Sequence, residues 1–318
     1  MNFADAVKTF EAGYFSTCRR SEKTEAAYKI DLAQLNTYLG PEAEIETIAP
    51  ERIEGWASHL RNDGYASVSI RRKFATARVF FTYWVRRGTI DKSPLWRIRL
   101  DLGRERLLPR SLAPGDAKLL IEEIWKPIVG ERNASACASN DPAFLHGRNI
   151  AAIEILFATG MRVGELVKLD LKDWCESDRA FVVKGKGSRQ RLAFLPDDRS
   201  SRAVQEYVSL RSKLVLDHNA LLVNARGARL STQGVARILH EAAQTAGIQT
   251  KVTPHVIRHT VATLLLRFGA DIRVVQEVLG HASIATTQRY THVSKEHLVS
   301  ALRARHPNHH LKVNICAA

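Results

Sequence analysis

Apolar residues return at steps of three and four along most of this chain, the period of an amphipathic helix. Thr24 to Leu39 (TEAAYKIDLAQLNTYL) carries that spacing, and Pro50 to Leu60 predicts a second, shorter helix after the break at 41–49. The pattern is strongest from Val68 to Arg87, where Ile70, Phe74, Ala77, Phe81 and Trp84 form one stripe. Arg71 and Arg78, seven apart, share another face of that helix. Asn62-Asp63-Gly64 before it and Gly88 after it are suitable stops. The expectation is a four-helix domain ending near Ser93-Pro94, residues 1–94.

Residues 95–111 (LWRIRLDLGRERLLPRS) change character, with five arginines, two acidic residues and no clear period. They read as a basic linker suited to a phosphate backbone. A second domain, 112–318, then begins. Asp116 to Ile124 predicts a helix, and the segment 126–147, rich in Asn, Ser, Ala and Gly, predicts a long surface loop. Asn149 to Ala158 is an apolar helix stopped by Gly160, and Val163 to Leu169 continues as another. Arg179 to Val183 and Arg189 to Leu195 read as strands flanking the turn Lys184-Gly185-Lys186-Gly187-Ser188. From Arg199 onward the pattern is helical, with starts at Ser231, Thr253-Pro254 and Asp271. The fold class is therefore mainly α with one small β-sheet, and no internal repeat is evident.

Composition narrows the function. At 318 residues, 45% hydrophobic and 25% charged, the chain has the make-up of an ordinary soluble protein of two domains. A net charge of +14 favours a polyanionic partner, and nucleic acid is the commonest. The four cysteines (Cys18, Cys137, Cys175, Cys316) form no CxxC pair, which argues against a zinc site or a disulfide framework. The stretch MNFADAVKTFEAGYF has no basic region followed by an apolar run, so no signal peptide is expected. No stretch approaches the length of a membrane span, and the expected place of work is the bacterial cytoplasm.

The chemistry concentrates between Thr253 and Val293, with one more arginine upstream in ATGMRVGEL. A phosphodiester resists attack because its charge repels the nucleophile and its alkoxide leaves poorly. Metals often solve both problems, but no carboxylate cluster for them is evident here. Arginines can substitute, since a guanidinium stays charged and forks onto two phosphate oxygens. Arg162 and Arg258 suit that role. His255 sits one helical turn before Arg258 and is a suitable acid–base group, and Glu165, one turn after Arg162, can hold that arginine. Tyr290 is the candidate nucleophile, and Lys186 at the hairpin tip can protonate the departing 5′ oxygen. A lone residue of these types is usually structural; their joint occurrence in order carries the functional argument.

The stretches ATGMRVGEL, GKGSRQR, PHVIRHTVATLLL and ADIRVVQEVLGHASIATTQRYTHV resemble the tyrosine recombinase, or phage integrase, family, and most of all its Xer-type members. The resemblance covers the whole second domain and, more weakly, the first. It implies a helical SAM-like core-binding domain and a catalytic domain that clamp double-stranded DNA in a C shape. It implies a 3′-phosphotyrosyl intermediate, a Holliday junction and a homotetramer on the recombination site, with or without a second recombinase. No cofactor, metal or membrane is implied. Arg162 and Arg258 match the family's phosphate-binding arginines, Lys186 its general acid, His255 its first histidine and Tyr290 its nucleophile. His281 matches the position that supports the scissile phosphate, and Glu165 a supporting acidic position. Arg71, Arg72, Lys73 and Arg78 of the strongest helix, with Arg97, Arg99 and Arg104 of the linker, are the expected DNA contacts.

The chain departs from the family pattern in its longer segment 126–147, its arginine-rich linker and a further helix, SKEHLVSALRARHP. Leu298, Ala301 and Leu302 give that helix an apolar stripe, which docks either on a neighbouring protomer or on its own domain. Two other functions use similar residues. A type IB topoisomerase shares the chemistry but lacks the Xer-like motifs, and a DNA-binding protein without chemistry has no use for the complete catalytic set.

Overall fold

A computed structural model describes residues 1–18, 22–102, 111–127, 139–185, 190–280 and 295–311. By internal contacts the chain divides into Met1–Arg106 and Leu107–Ala318.

The first unit contains α1 (Phe3–Thr17), α2 (Glu22–Leu39), α3 (Pro50–Asn62) and α4 (Ser67–Arg86). Helix α1, which the periodicity did not delimit, buries Phe3, Ala6 and Phe10 and is capped by Asn2. Phe10 packs edge-on to Phe80 and Tyr83 of α4. The predicted stripe of α4 is buried as expected, at Ile70, Phe74, Ala77, Phe81 and Trp84. Leu95, Ile98 and Leu102 join the same core, so this part of the expected linker packs on the first unit.

Lys73 corrects the sequence reading. It is buried, and its Nζ donates to Asp31 Oδ1 at 3.2 Å and to the Gln34 side chain. An ammonium committed to a buried carboxylate is not available to a DNA phosphate. Arg72 donates to the other oxygen of Asp31 at 2.5 Å but remains exposed, as do Arg71, Arg78, Arg97 and Arg99. Arg104 lies outside the described residues.

The second unit contains α5 (Pro114–Ile124), α6 (Pro142–Thr159), α7 (Val163–Leu166), strands β1 (Trp174–Cys175), β2 (Ala180–Lys184) and β3 (Gln190–Phe194), then α8 (Asp198–Ser212), α9 (Thr232–Thr245), α10 (Pro254–Arg267), α11 (Ile272–Leu279), α12 (Lys295–Arg305) and α13 (Pro307–His310). Helix α6 starts seven residues before the expected Asn149: Asp141 caps it and Pro142 supplies a preset φ. The expected loop 126–147 is therefore helical at its end, and residues 128–138 lie outside the described ones. Helix α7 is a single turn rather than a helix to Leu169. The sheet is antiparallel in the order β1-β2-β3, with Val183 opposite Arg191 and Lys184 opposite Gln190. The predicted caps hold: Ser231, Thr253 and Asp271 accept from the N–H groups of Gly234, Val256 and Arg273.

The core of this unit gathers α6, which is apolar nearly all round, against α5, α8, α9 and α10, and α11 packs on α10. Leu302 of α12 and Leu311 beyond α13 are buried in it, so the C-terminal segment packs on its own unit here. Cys18 and Cys175 are free thiols, while Cys137 and Cys316 lie outside the described residues. Among the described residues no helix is long and apolar enough to cross a membrane.

Candidate active site

Two helix ends frame the site. Helix α6 stops at Gly160, whose φ of +58° is the left-handed geometry that glycine tolerates, and α11 stops at Gly280 with φ +62°. The last carbonyls of a helix have no partner within it, and they sit at its negative dipole end. Arg258, one turn into α10, answers both ends. Its Nη1 donates to Gly160 O at 2.7 Å and its Nη2 to Leu279 O at 2.8 Å. Those bonds fix the guanidinium in a residue that is only 8% exposed.

Arg162 follows Gly160 by two residues and reaches the next carbonyl of the same helix end, with Nη1 3.4 Å from Gly280 O. Its Nη1 also donates to Glu165 Oε1 at 3.1 Å, and its backbone N–H donates to Glu165 Oε2 at 2.9 Å. Glu165 thus closes the first turn of α7 backward onto Arg162. The single turn of α7 contributes little dipole, so side chains rather than a helix N-terminus make this an anion site. A guanidinium has five N–H donors, and neither arginine spends them all on these partners.

Burial alone would raise the Glu165 carboxyl, but the Arg162 N–H and the guanidinium of Arg191 hold it below the usual range. Arg258 is pushed down to about 10, first by burial and then by repulsion from Arg162 and Arg191, with Glu165 opposing. Three guanidiniums therefore share one carboxylate. A cation so poorly compensated gains from an incoming anion.

His255 stands exposed on α10, one turn before Arg258, its side chain making no hydrogen bond to another described residue. Arg162, Glu165, His255 and Arg258 are thus brought to one neighbourhood from α7 and α10. Lys186, His281 and Tyr290 lie outside the described residues. Lys186 belongs to the connection between β2 and β3, and His281 follows Gly280 directly in sequence.

Sequence reasoning missed Arg191. It lies on β3 with its side chain 14% exposed, and its Nη2 donates to Glu165 Oε2 at 2.9 Å. The signal available was an arginine inside a predicted strand next to the glycine-rich turn, but the period alone did not show which face it takes.

Comparison with known proteins gives the family. The phage integrase family model matches residues 134–297, and the phage integrase N-terminal SAM-like domain matches residues 7–88. Tyrosine recombinase XerC of Thermodesulfovibrio yellowstonii is 34% identical over 293 residues, covering 90% of this chain and 91% of that protein. XerC of Corynebacterium efficiens is 34% identical over 304 residues, covering 95% and 91%. Among solved structures, XerH recombinase bound to its palindromic difH substrate superposes with a TM-score of 0.67 at 21% identity, covering 91% of this chain and 77% of that one. A lambda integrase dimer on a COC′ core site gives 0.66 at 19%, covering 95% of each. The Tn1549 transposon integrase with circular-intermediate DNA gives 0.70 at 18%, covering 89% and 93%. At these identities the structural matches speak for the fold.

Proposed function

The chain belongs to the phage integrase family and is a site-specific tyrosine recombinase, a DNA strand transferase, and on that premise we propose that Tyr290 is its nucleophile and that Arg162 and Arg258 grip the scissile phosphate. The phenol oxygen of Tyr290 attacks phosphorus while the bond to the 5′ oxygen breaks. A 3′-phosphotyrosyl linkage forms and a 5′-hydroxyl is released. His255 takes the phenol proton, Lys186 gives a proton to the leaving oxygen, and His281 supports the phosphate. The reverse steps with an exchanged strand make and then resolve a Holliday junction.

The observation that supports this reading is the meeting of the two guanidiniums. They bind the consecutive carbonyls of Leu279 and Gly280, directly before His281 in sequence, and both have N–H groups to spare. Two forks on the non-bridging oxygens stabilise the added charge of the pentacoordinate transition state, where preorganised donors act most strongly. Double-stranded DNA is the partner. The active assembly is a homotetramer that joins two recombination sites, working in the cytoplasm with the DNA. Arg71, Arg72, Arg78, Arg97 and Arg99 are exposed cations placed to contact its backbone.

Covalent capture tests the reading. Wild-type protein is mixed with a library of nicked random-sequence duplexes, denatured, and the protein-linked DNA is sequenced. The expected result is one recurrent sequence. Tyr290→Phe should bind that duplex normally and yield no covalent adduct; a normal adduct yield removes Tyr290 as nucleophile.

A further inference from the structure

We infer that Arg191 is a positioning residue for strand transfer: by holding Glu165 from β3, it keeps that carboxylate as the seat of Arg162 and ties the β2–β3 hairpin to the phosphate-binding arginines. The inference rests on the reading of Arg162 and Arg258 as the phosphate grip.

Three contacts carry it. The Nη2 of Arg191 donates to Glu165 Oε2 at 2.9 Å, and both side chains are almost enclosed, at 14% and 12% exposure. The other oxygen of Glu165 receives Arg162. The carboxylate is therefore a bridge between two guanidiniums rather than a private partner of one. The side chain of Arg191 also lies directly on Gly280: a Cβ at Gly280 would stand 2.8 Å from Arg191 Nε and 3.0 Å from its Cδ. Gly280 is the residue whose carbonyl receives Arg162 and the one before His281. Finally, the charge of Arg191 is felt at Arg258, where it adds to the repulsion from Arg162.

The side chain is enclosed and committed to Glu165, as a positioning residue requires. The Nη2 of Arg191 is engaged, and its Nε is enclosed with no hydrogen-bond partner among the described residues. An unpaired interior N–H is costly. The cost is intelligible where a third positive charge serves the site. Without Arg191, Glu165 would have Arg162 as its sole hydrogen-bonded cation among the described residues. The carboxylate would then draw the Arg162 fork inward, away from the phosphate. Arg191 prevents this, and because it stands on β3 opposite Val183, it also ties the β2–β3 pair, between whose strands Lys186 lies in sequence, to Glu165.

The test is single-turnover cleavage of the nicked duplex recovered by covalent capture. Arg191→Met, which keeps the packing on Gly280, should slow adduct formation roughly 10- to 100-fold, the range for residues that orient a reacting group. DNA affinity should stay near wild type, and Arg191→Lys should recover much of the rate. In a Glu165→Gln background, Arg191→Met should add little, because the two act through one contact. If Arg191→Met fails to fold, Arg191→Gln decides, being slowed in the wild-type background and not in Glu165→Gln. Wild-type cleavage by Arg191→Met or Arg191→Gln overturns the inference, as does a full multiplicative effect in the double variant. Arg162→Ala and Arg258→Ala are run beside them. If these two cleave normally, the phosphate grip itself is wrong, a result distinct from a silent Arg191.

Discussion

Gly160 shows how little room the phosphate grip leaves. A Cβ there would meet Leu279 Cδ2 at 2.6 Å and Val261 Cγ1 at 3.3 Å, and the residue sits at φ +58°. Leu279 is the residue whose carbonyl anchors Arg258, so the missing side chain is what lets α6 and α11 approach closely enough for one guanidinium to bind both ends. Gly160→Ala should cost about 2–4 kcal/mol, the sum of a left-handed alanine and an overpacked contact. Gly247→Ala is the control, since Gly247 has φ +70° and nothing within 4 Å of a Cβ. It should cost only about 1–2 kcal/mol, from the backbone alone. Thermal unfolding of the two variants measures the difference, and equal losses would mean that the close approach at Gly160 relaxes freely.

Among the elements, the C-terminal segment depends most on protonation. His306 caps α13, fully buried, with its Nδ1 accepting from the Asn308 N–H at 3.2 Å. Asn308 donates in turn to Asp197 at 3.1 Å, and Arg199 binds Glu154 beneath them at 2.9 Å. Burial pushes His306 down to about 3, against the attraction of Asp197, with His309 and Arg199 adding repulsion. The folded state thus keeps this imidazole neutral, while an unfolded chain protonates it below the ordinary value of 6.5. Its contribution is complete above pH 6.5 and is lost as pH falls from there toward 3. Glu154 runs the other way, because burial raises it, and Asp197, held low, matters only at more acid pH. The melting temperature of the wild type should therefore fall faster below pH 6.5 than that of His306→Gln, and parallel curves would refute the assignment. Little of this packing was legible in the sequence. Periodicity found α2, α4, the hairpin and the caps because each depends on neighbours in the chain. It could not say that the α12 stripe would meet its own unit, since both alternatives bury the same leucine. It overlooked that Lys73 lies three residues after Ile70 and four before Ala77, on the apolar stripe itself, where a cation needs Asp31 from another helix. The pairs Arg162–Glu165 and His255–Arg258 were legible as neighbours because each spans one turn of chain, but the long-range bonds that bring the two arginines to one helix end were not. Arg191 was not, because its partner is 26 residues away and its role is set by tertiary contact.

For the molecule as a whole, charge and architecture make a joint prediction. Each unit has a separate hydrophobic core, one built on α1–α4 and one on α6 and its neighbours, so each should unfold cooperatively when made alone. The surplus charge is unevenly shared: residues 107–318 hold 29 Lys and Arg against 19 Asp and Glu, while residues 1–106 hold 18 against 14. Part of the smaller surplus is further spent inside the fold, as Lys73 and Arg72 share Asp31. Phosphate contacts release counterions, and log K falls with log salt by about 0.9 per phosphate neutralised on duplex DNA. The isolated 107–318 unit should therefore show a steeper salt dependence than the isolated 1–106 unit. The whole chain should be steeper than either, because a second unit held by the same chain adds its contacts without a second bimolecular step. Fluorescence anisotropy on the captured duplex across a salt series measures all three slopes. A full-chain slope no steeper than that of 107–318 would mean that the exposed arginines of α4 and of 97–99 stay off the backbone, leaving the first unit to act by shape or by contacts to bases.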